Sequence, residues 1–180
     1  MKVTETSLAG MMVLEPRAFG DARGFFMETY NENTMAEVGI HAHFVQDNHS
    51  YSVRNVLRGL HYQVQRAQGK LVRVVGGEIL DIAVDLRRNS PTLGKWHSVR
   101  LSGENRRMVW VPPGFAHGFR VISDGAHVLY KTTDFYFPEF EHTIAWNDST
   151  LAINWELEGA PVVSARDQKG VPFRRAELYS

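Results

Sequence analysis

Two histidine-containing segments carry the clearest chemical potential of this sequence. His61 lies in the run RGLHYQ at residues 58–63, and His117 lies in VPPGFAHGF at residues 111–119, where prolines and glycines predict a tight turn. Imidazole has a reference pKa of about 6.5 and can act as base, acid or metal ligand near neutral pH. The chain has no cysteine, which excludes disulfides, zinc knuckles and thiolate nucleophiles. Any chemistry must come from His, Tyr, Lys, Arg and carboxylates.

The elements that position these residues are predicted to be β-strands. The strongest signal is at residues 71–86, where LVRVV and EILDIAVDL flank Gly76 and Gly77, a dipeptide suited to a two-residue hairpin turn. In the second arm, alternation predicts a core face from Leu80 to Leu86 and an exposed face that carries Asp81. Further strands are predicted at 45–51, 56–64, 96–101, 107–111, 117–122 and 127–137. The pattern is all-β, typical of a sandwich or barrel.

Helical signals are few, and nothing divides the chain. Short helices are predicted at 33–38 and 148–152. With 180 residues, no internal repeat and no linker, residues 1–180 are expected to form one domain with N- and C-terminal arms wrapped around the barrel.

Charge and hydropathy exclude two classes of partner. Lys plus Arg number 20 and Asp plus Glu number 20, and this balance argues against nucleic acid binding. No apolar run approaches the roughly 18 residues of a membrane span, and the first residues do not read as a signal peptide. We expect a cytoplasmic protein without membrane association.

Gly59 raises a geometric question about the RGLHYQ segment. Strict strand alternation would send Arg58 and His61 to opposite faces. Both reach one pocket only if the strand bulges near Gly59, which we adopt as a working assumption. Taken alone, this pair of residues favours the simpler interpretation, in which His61 is a core histidine and Arg58 a surface charge.

The two histidine segments together resemble the two motifs of the cupin superfamily, small β-barrels with a jelly-roll topology that often bind a metal. A metal cage would need a second histidine two positions after His61 and a glutamate shortly beyond. Gln63 occupies the first place, and no glutamate occurs before Glu78. Amide oxygens are poor ligands for transition metals, so no metal and no cofactor are expected.

A longer set of segments is similar to the dTDP-4-dehydrorhamnose 3,5-epimerase family. The matching blocks are RGFFMETY (23–30), QDNHS (46–50), RGLHYQ (58–63), PPGFAHGF (112–119), YKTTDFY (130–136) and SARDQKG (164–170). The resemblance implies a cupin-like jelly-roll β-barrel that inverts C3 and C5 of dTDP-4-dehydro-6-deoxy-D-glucose to give dTDP-4-dehydro-L-rhamnose. It also implies a place in dTDP-L-rhamnose biosynthesis and a homodimer whose N-terminal arm exchanges strand contacts.

The family pattern assigns catalytic roles to four residues. It makes His61 the base, with Asp167 as the carboxylate that fixes its tautomer. Tyr130 becomes the proton donor, since a phenol of pKa about 10 keeps its proton at neutral pH. Lys70 supplies a positive charge for the enolate oxygen. Without the resemblance, each would be read as an ordinary core or surface residue.

The same resemblance marks residues that bind the nucleotide sugar. They are Arg23, Glu28, Gln46, Asp47, Asn48, Arg58, Lys70, His117, Glu141 and Arg166. Guanidinium groups suit the diphosphate. Phe25 and Phe26 fit either a base pocket or a core, and His127 and His142 are expected to be surface histidines.

Three alternatives stay open at this point. Related barrels with the same His and Tyr pair invert C3 only or isomerise a keto sugar. A metal-dependent cupin would use His61 and His117 as ligands. A non-catalytic sugar or nucleotide binding barrel would use the same arginines without moving protons.

Overall fold

The computed structural model describes all residues from 1 to 180, and most of the regular structure is β-strand. The strands are β1 (Lys2–Glu5), β2 (Met12–Glu15), β3 (Ala18–Asp21), β4 (Gly24–Met27), β5 (Gln46–Val53), β6 (Val56–Gln63), β7 (Lys70–Gly76), β8 (Glu78–Asp85), β9 (Trp96–Ser102), β10 (Met108–Val111), β11 (Phe115–Val121), β12 (Gly125–Thr132), β13 (Glu141–Thr143) and β14 (Val162–Val163). The prediction of an all-β chain is confirmed.

The strands form two facing sheets and one separate hairpin. Sheet I has the order β1-β2-β10-β7-β12-β5, and sheet II has the order β13-β6-β11-β8-β9 with β14 added in parallel to β6. Strands β3 and β4 pair only with each other. Apart from β14, neighbouring strands in both main sheets are antiparallel. Each strand presents alternate side chains to the space between the sheets.

The main core lies between the two sheets. Val72 and Val74 of β7 face Ile79 and Ala83 of β8, and all four are buried. Each fully buried valine or isoleucine contributes about 1.5–3 kcal/mol relative to an exposed one. Apolar side chains fill this part of the space between the sheets, and polar side chains line the part beside it.

The Gly76-Gly77 segment joins the two sheets, so the predicted hairpin is wrong. Strand β7 pairs with β10 and β12 in sheet I, whereas β8 pairs with β11 and β9 in sheet II. Gly77 has φ +79°, and a Cβ there would collide with the Gly125 carbonyl. The glycines were read correctly as a sharp turn, but local sequence does not encode which partners the two strands take.

The predicted exposed face of β8 is also wrong, because both faces of this strand are buried. Leu80 and Ile82 pack beneath the C-terminal arm, where Leu151 and Trp155 cover the outer side of sheet II. Asp81 faces the interior and is completely buried. The sequence of β8 alternates in polarity with a period of two residues, yet the C-terminal arm covers its outer face, so the strand is buried on both sides.

One of the two predicted helices is present. Helix α1 (Glu32–Glu37) begins after Asn31, whose side chain accepts hydrogen bonds from the N–H groups of Asn33 and Thr34. Residues 148–152 form only a turn, because Ala152 adopts a left-handed conformation with φ 46° that a helix cannot continue through. The other helical pieces are 3₁₀ turns at Pro138–Phe140, Asp167–Lys169 and Phe173–Arg175. None of these helices has the length and apolar character needed to cross a membrane.

Candidate active site

Most of the predicted site residues line one cavity between the sheets, with a volume of about 320 Å³. The lining is predominantly polar, which sets it apart from the apolar core beside it. It consists of Gln46, Asn48, Ser50, Arg58, His61, Gln68, Lys70, His117, Gly118, Phe119, Val128, Tyr130, Thr132, Tyr136, Glu141 and Arg166. Such a cavity suits a charged, hydroxylated ligand.

A bulge at Gly59 brings Arg58 and His61 to this cavity together. In the pairing of β6 with β11, His61 lies opposite His117 and Arg58 lies opposite Phe119, so two residues of β6 face one of β11. Gly59 has φ +120°, and β11 approaches it too closely to admit a Cβ. The bulge assumed from the sequence is confirmed.

His61 is paired with Asp167 across 106 positions of sequence. The His61 Nε2 lies 2.5 Å from Asp167 Oδ1, and the Gly59 N–H donates to Asp167 Oδ2 at 3.4 Å. Burial alone would raise the pKa of the Asp167 carboxyl, but hydrogen bonding and the charge of His61 lower it below its ordinary value. Since an ionised carboxylate only accepts, Nε2 donates and Nδ1 of His61 carries the lone pair.

Tyr130 enters the cavity from the opposite sheet. It belongs to β12 of sheet I, whereas His61 belongs to β6 of sheet II. Burial raises the pKa of the Tyr130 phenol, and the charge of Arg58 only partly offsets this effect. The phenol therefore holds its proton at neutral pH and is available as a donor.

Lys70 provides a positive charge at the start of β7. Burial lowers the pKa of its ammonium group to about 8, while the charge of Asp81 opposes that change. The group is thus charged at pH 7. A poorly hydrated ammonium in a buried position interacts more strongly with a developing oxyanion than the same group in water.

A second histidine and aspartate pair adjoins the same cavity, which His117 lines. The His117 Nε2 is 2.8 Å from Asp81 Oδ2, and both side chains are buried. The other oxygen of Asp81 has no hydrogen-bond partner. Sequence reasoning missed Asp81 because alternation assigned it to an exposed face. Its place beside His117 depends on the pairing of β8 with β11, in which His117 lies opposite Ala83, and no local sequence signal gives that register.

A polar triad stands at the mouth of the cavity. The Tyr136 hydroxyl donates to Glu141 at 2.9 Å and accepts from Arg166 at 3.0 Å, and Arg166 also forms an ion pair with Glu141. Glu141 and Arg166 were predicted, whereas Tyr136 was not singled out. Its strand was predicted to continue to residue 137, but β12 ends at Thr132 and Tyr136 lies in the loop beyond.

Three predicted binding residues lie outside the cavity of their own chain. Arg23 is at the tip of the β3–β4 hairpin, with a 90% exposed side chain bonded to Asp21. Glu28 accepts hydrogen bonds near the start of α1. Asp47 points to the outer face of β5, where it pairs with Lys131 at 2.9 Å, because its neighbours Gln46 and Asn48 take the inner face.

Phe25 and Phe26 lie on the same hairpin as Arg23. Both rings are exposed, so neither is a core residue. His127 is exposed and contacts His49, and His142 pairs with Glu177 at 3.4 Å. Neither histidine lines the cavity.

The residues of the cavity do not assemble the donor set of a metal cage. His61 and His117 are each bonded to an aspartate, and the Gln63 amide is directed at the backbone of a neighbouring loop. No group of three or more His, Cys, Asp or Glu side chains is arranged to hold a metal ion. A metal-independent reaction stays our prediction.

Comparison with known proteins agrees with the fold described above. The model of the dTDP-4-dehydrorhamnose 3,5-epimerase family matches residues 5–175. The curated enzyme of that name from Pseudomonas aeruginosa is 54% identical over 180 residues, 99% of each chain. A crystal structure of the Legionella pneumophila epimerase in complex with dTDP-4-keto-L-rhamnose superposes with a TM-score of 0.96 at 46% identity, covering 99% of this chain and 97% of that one.

A more distant neighbour marks a different specificity on the same fold. The 3'-monoepimerase from Streptomyces bikiniensis, solved in complex with dTDP-quinovose, has a TM-score of 0.88 at 30% identity, covering 94% of this chain and 86% of that one. The cupin-like jelly-roll barrel predicted from the sequence is confirmed. The chain belongs to the dTDP-4-dehydrorhamnose 3,5-epimerase family.

Proposed function

We propose that this protein inverts C3 and C5 of dTDP-4-dehydro-6-deoxy-D-glucose and releases dTDP-4-dehydro-L-rhamnose, as a step in dTDP-L-rhamnose biosynthesis. The observation that carries this proposal is the placement of His61, which is bonded to Asp167, on one sheet and of Tyr130 on the facing sheet, around one cavity. Inversion needs a base on one side of the carbon and an acid on the other.

The C4 ketone acidifies the hydrogens at both C3 and C5. His61 removes one of these protons through its free ring nitrogen, and Asp167 stabilises the imidazolium that forms. The electron pair of the broken C–H bond moves into the enolate, whose oxygen is stabilised by Lys70. Tyr130 then delivers its proton to the same carbon from the opposite side, and the ketone is restored. The His61 imidazolium releases its proton to water and the Tyr130 phenolate takes one from water, which resets both groups for inversion of the second carbon.

The nucleotide portion fits the mouth of the cavity. Arg58 and Arg166 offer guanidinium groups for the diphosphate, and Gln46 and Asn48 add amide donors and acceptors. The Tyr136 ring, beside Arg166, offers an aromatic surface for the thymine. Binding of a nucleotide in this position gives the polar side chains of the cavity hydrogen-bonding partners, which an apolar ligand would not provide.

A homodimer accounts for the residues that lie outside the cavity. The β3–β4 hairpin and the outer face of sheet I expose apolar side chains, and patches of this kind mark interaction surfaces. These residues are Phe19, Phe25, Phe26, Tyr51, Val53 and Val75. In our proposal the hairpin of one protomer lies against its partner and carries Arg23 and Glu28 to the partner's cavity.

Mixed dimers test this arrangement. Arg23→Ala and His61→Ala chains, co-expressed with different tags, should restore about one quarter of wild-type activity, because half of randomly assembled dimers contain one site with both residues. If Arg23 serves its own chain, the mixed dimer has no complete site and no activity is restored. A monomer in light scattering would refute the homodimer itself.

The remaining proposals concern setting and chemistry. We infer that residues 1–180 act as one domain, that no metal or cofactor takes part, and that the protein works in the cytoplasm, where a nucleotide sugar is at hand. Inversion at C3 alone is the second candidate, favoured by the shared fold of the Streptomyces bikiniensis 3'-monoepimerase.

The first experiment is an NMR time course with dTDP-4-dehydro-6-deoxy-D-glucose in D₂O, with and without a chelator. Deuterium should enter at C3 and C5 at a rate that the chelator leaves unchanged. Exchange at C3 alone would move this chain to the monoepimerase branch. Exchange that the chelator stops would favour a metal-dependent cupin, and no exchange at either carbon would leave a binding barrel.

A further inference from the structure

The amide of Gln63 is buried beneath the loop that follows β12. Its Nε2 donates to the carbonyl of Arg66 at 2.8 Å and to that of Phe135 at 3.3 Å, while its Oε1 accepts the Phe137 N–H at 3.0 Å. The side chain is almost fully buried. The amide thus makes all of its hydrogen bonds to backbone atoms. One of these atoms belongs to the residue before Tyr136 and one to the residue after it.

The loop is held at Tyr136 itself by a second amide. The Tyr136 N–H donates to Gln46 Oε1 at 3.0 Å. The backbone from 135 to 137 is therefore fixed at consecutive residues by Gln63 and Gln46. Such a clamp removes backbone freedom from a loop that β12 no longer supports.

Gln63 also adjoins the other members of the triad at the cavity mouth. Its backbone lies opposite Glu141 in the pairing of β13 with β6, and Glu141 binds both the Tyr136 hydroxyl and Arg166. One residue at the end of β6 thus connects the loop that carries Tyr136 with the strand that carries Glu141. Its amide aligns the ring from behind without lining the cavity.

We propose that Gln63 is a positioning residue that acts through Tyr136 to hold the nucleotide-binding mouth of the cavity in its binding geometry. This inference rests on the proposed function. The position needs donors on one side of the terminal amide and an acceptor on the other, which glutamine provides. A glutamate keeps the shape but loses the donors, and a methionine loses both functions.

The test compares Gln63→Met with a matched amide elsewhere. Asn105 likewise holds three backbone groups, accepting from Ser102 and Arg107 and donating to Arg100, in a turn away from the cavity. Calorimetry with dTDP should give a dissociation constant about tenfold higher for Gln63→Met, from the lost alignment, and an unchanged one for Asn105→Leu. The KM should rise in parallel, with kcat within about twofold of wild type.

A double-mutant cycle separates positioning from general loosening. In a Tyr136→Ala background, Gln63→Met should weaken dTDP binding by less than about twofold, because the group it aligns is gone. An equal effect in both backgrounds, or a fall in kcat with no change in dTDP affinity, would overturn the proposal.

A second variant covers the case in which Gln63→Met does not fold. Gln63→Glu retains the side-chain shape and the acceptor for Phe137, and its carboxylate regains a donor on protonation. Relative to wild type at the same pH, its loss of dTDP affinity should be larger at pH 8 than at pH 5; an equal ratio contradicts the proposal. Wild-type dTDP binding and turnover, measured alongside, separate failure of this inference from failure of the proposed function.

Discussion

The same chemical pair, an imidazole bonded to a carboxylate, occurs twice in this cavity with different surroundings. His61 keeps 26% of its side chain exposed, and its partner Asp167 arrives from a 3₁₀ turn near the C-terminus. His117 keeps only 9%, and its partner Asp81 comes from the adjacent strand. The first pair bridges distant parts of the chain, whereas the second lies within one sheet.

This difference indicates that the two pairs have different roles. A base must present a free nitrogen to the substrate, so partial exposure toward the cavity suits His61 for proton transfer. A buried carboxylate acts on its neighbours through charge, and Asp81 raises the pKa of Lys70 against the effect of burial. We expect the His61 pair to govern turnover and the His117 pair to govern stability and the charge of Lys70.

The largest expected effect is the loss of kcat in His61→Ala, which we compare with the loss of stability in His117→Ala. Loss of the base should lower kcat by about 10³-fold while the fold is retained. His117→Ala leaves the Asp81 carboxylate buried without its partner, which costs about 3 kcal/mol and lowers Tm by about 9 °C. Deuterium exchange at C3 and C5 and thermal unfolding measure the two quantities.

His142→Asn serves as the control, since this histidine pairs with Glu177 outside the cavity. Neither kcat nor Tm should change by as much as in the other two variants. If His117→Ala lost turnover as completely as His61→Ala and kept its Tm, the division between the two pairs would be wrong.

Exchanging each carboxylate for an amide separates the pairs further. In Asp167→Asn the amide can donate to His61 Nε2, which favours the wrong tautomer and moves the proton to the nitrogen that should act as base. We expect kcat to fall about 10²-fold at unchanged dTDP affinity. Asp81→Asn should lower kcat at pH 7 far less.

Steady-state kinetics of both variants at pH 7, with dTDP binding by calorimetry, provide the measurement. Equal losses of kcat in the two variants would mean that Asp81 has a direct part in proton transfer.

The sequence located the histidines of both pairs but only one of the carboxylates. His61 and His117 stood out because glycine and proline occur in their segments. The Gly59 bulge was assumed, because strict strand alternation would have sent Arg58 and His61 to opposite faces. Asp167 was reached through family resemblance, since no local pattern joins residues 106 positions apart. Asp81 was missed because the arm that buries the outer face of sheet II also makes the two-residue period of β8 misleading.

Other features of the site depend on contacts that local patterns do not encode. Gly76 and Gly77 predicted a sharp turn correctly, but the strands they join pair with distant partners in different sheets. Tyr136 lies in a loop whose position is set by Gln46 and Gln63. Arg23 lies outside its own chain's cavity, so its role depends on a second protomer and stays a prediction.

The smallest expected effect is a shift in the pH at which kcat falls on the alkaline side of its pH profile. This shift tests the effect of Asp81 on Lys70 directly. Lys70 stabilises the enolate only while protonated, and burial lowers the pKa of its ammonium group to about 8. The pKa of Tyr130 is raised, so the phenol stays protonated through this range and does not produce the fall in kcat. Turnover should therefore fall about tenfold between pH 7 and pH 9 as Lys70 loses its proton.

Because the charge of Asp81 raises the pKa of Lys70, Asp81→Asn should move the midpoint of that fall to lower pH. Lys70→Arg should show no fall of kcat between pH 7 and pH 9, whatever its residual activity, since the guanidinium group stays charged throughout this range. Measuring kcat from pH 6 to pH 10 for the three proteins decides the matter. An unchanged midpoint in Asp81→Asn would show that the buried pair stabilises the fold without affecting the charge of Lys70. The two pairs would then differ in that the His61 pair serves catalysis and the His117 pair serves only packing.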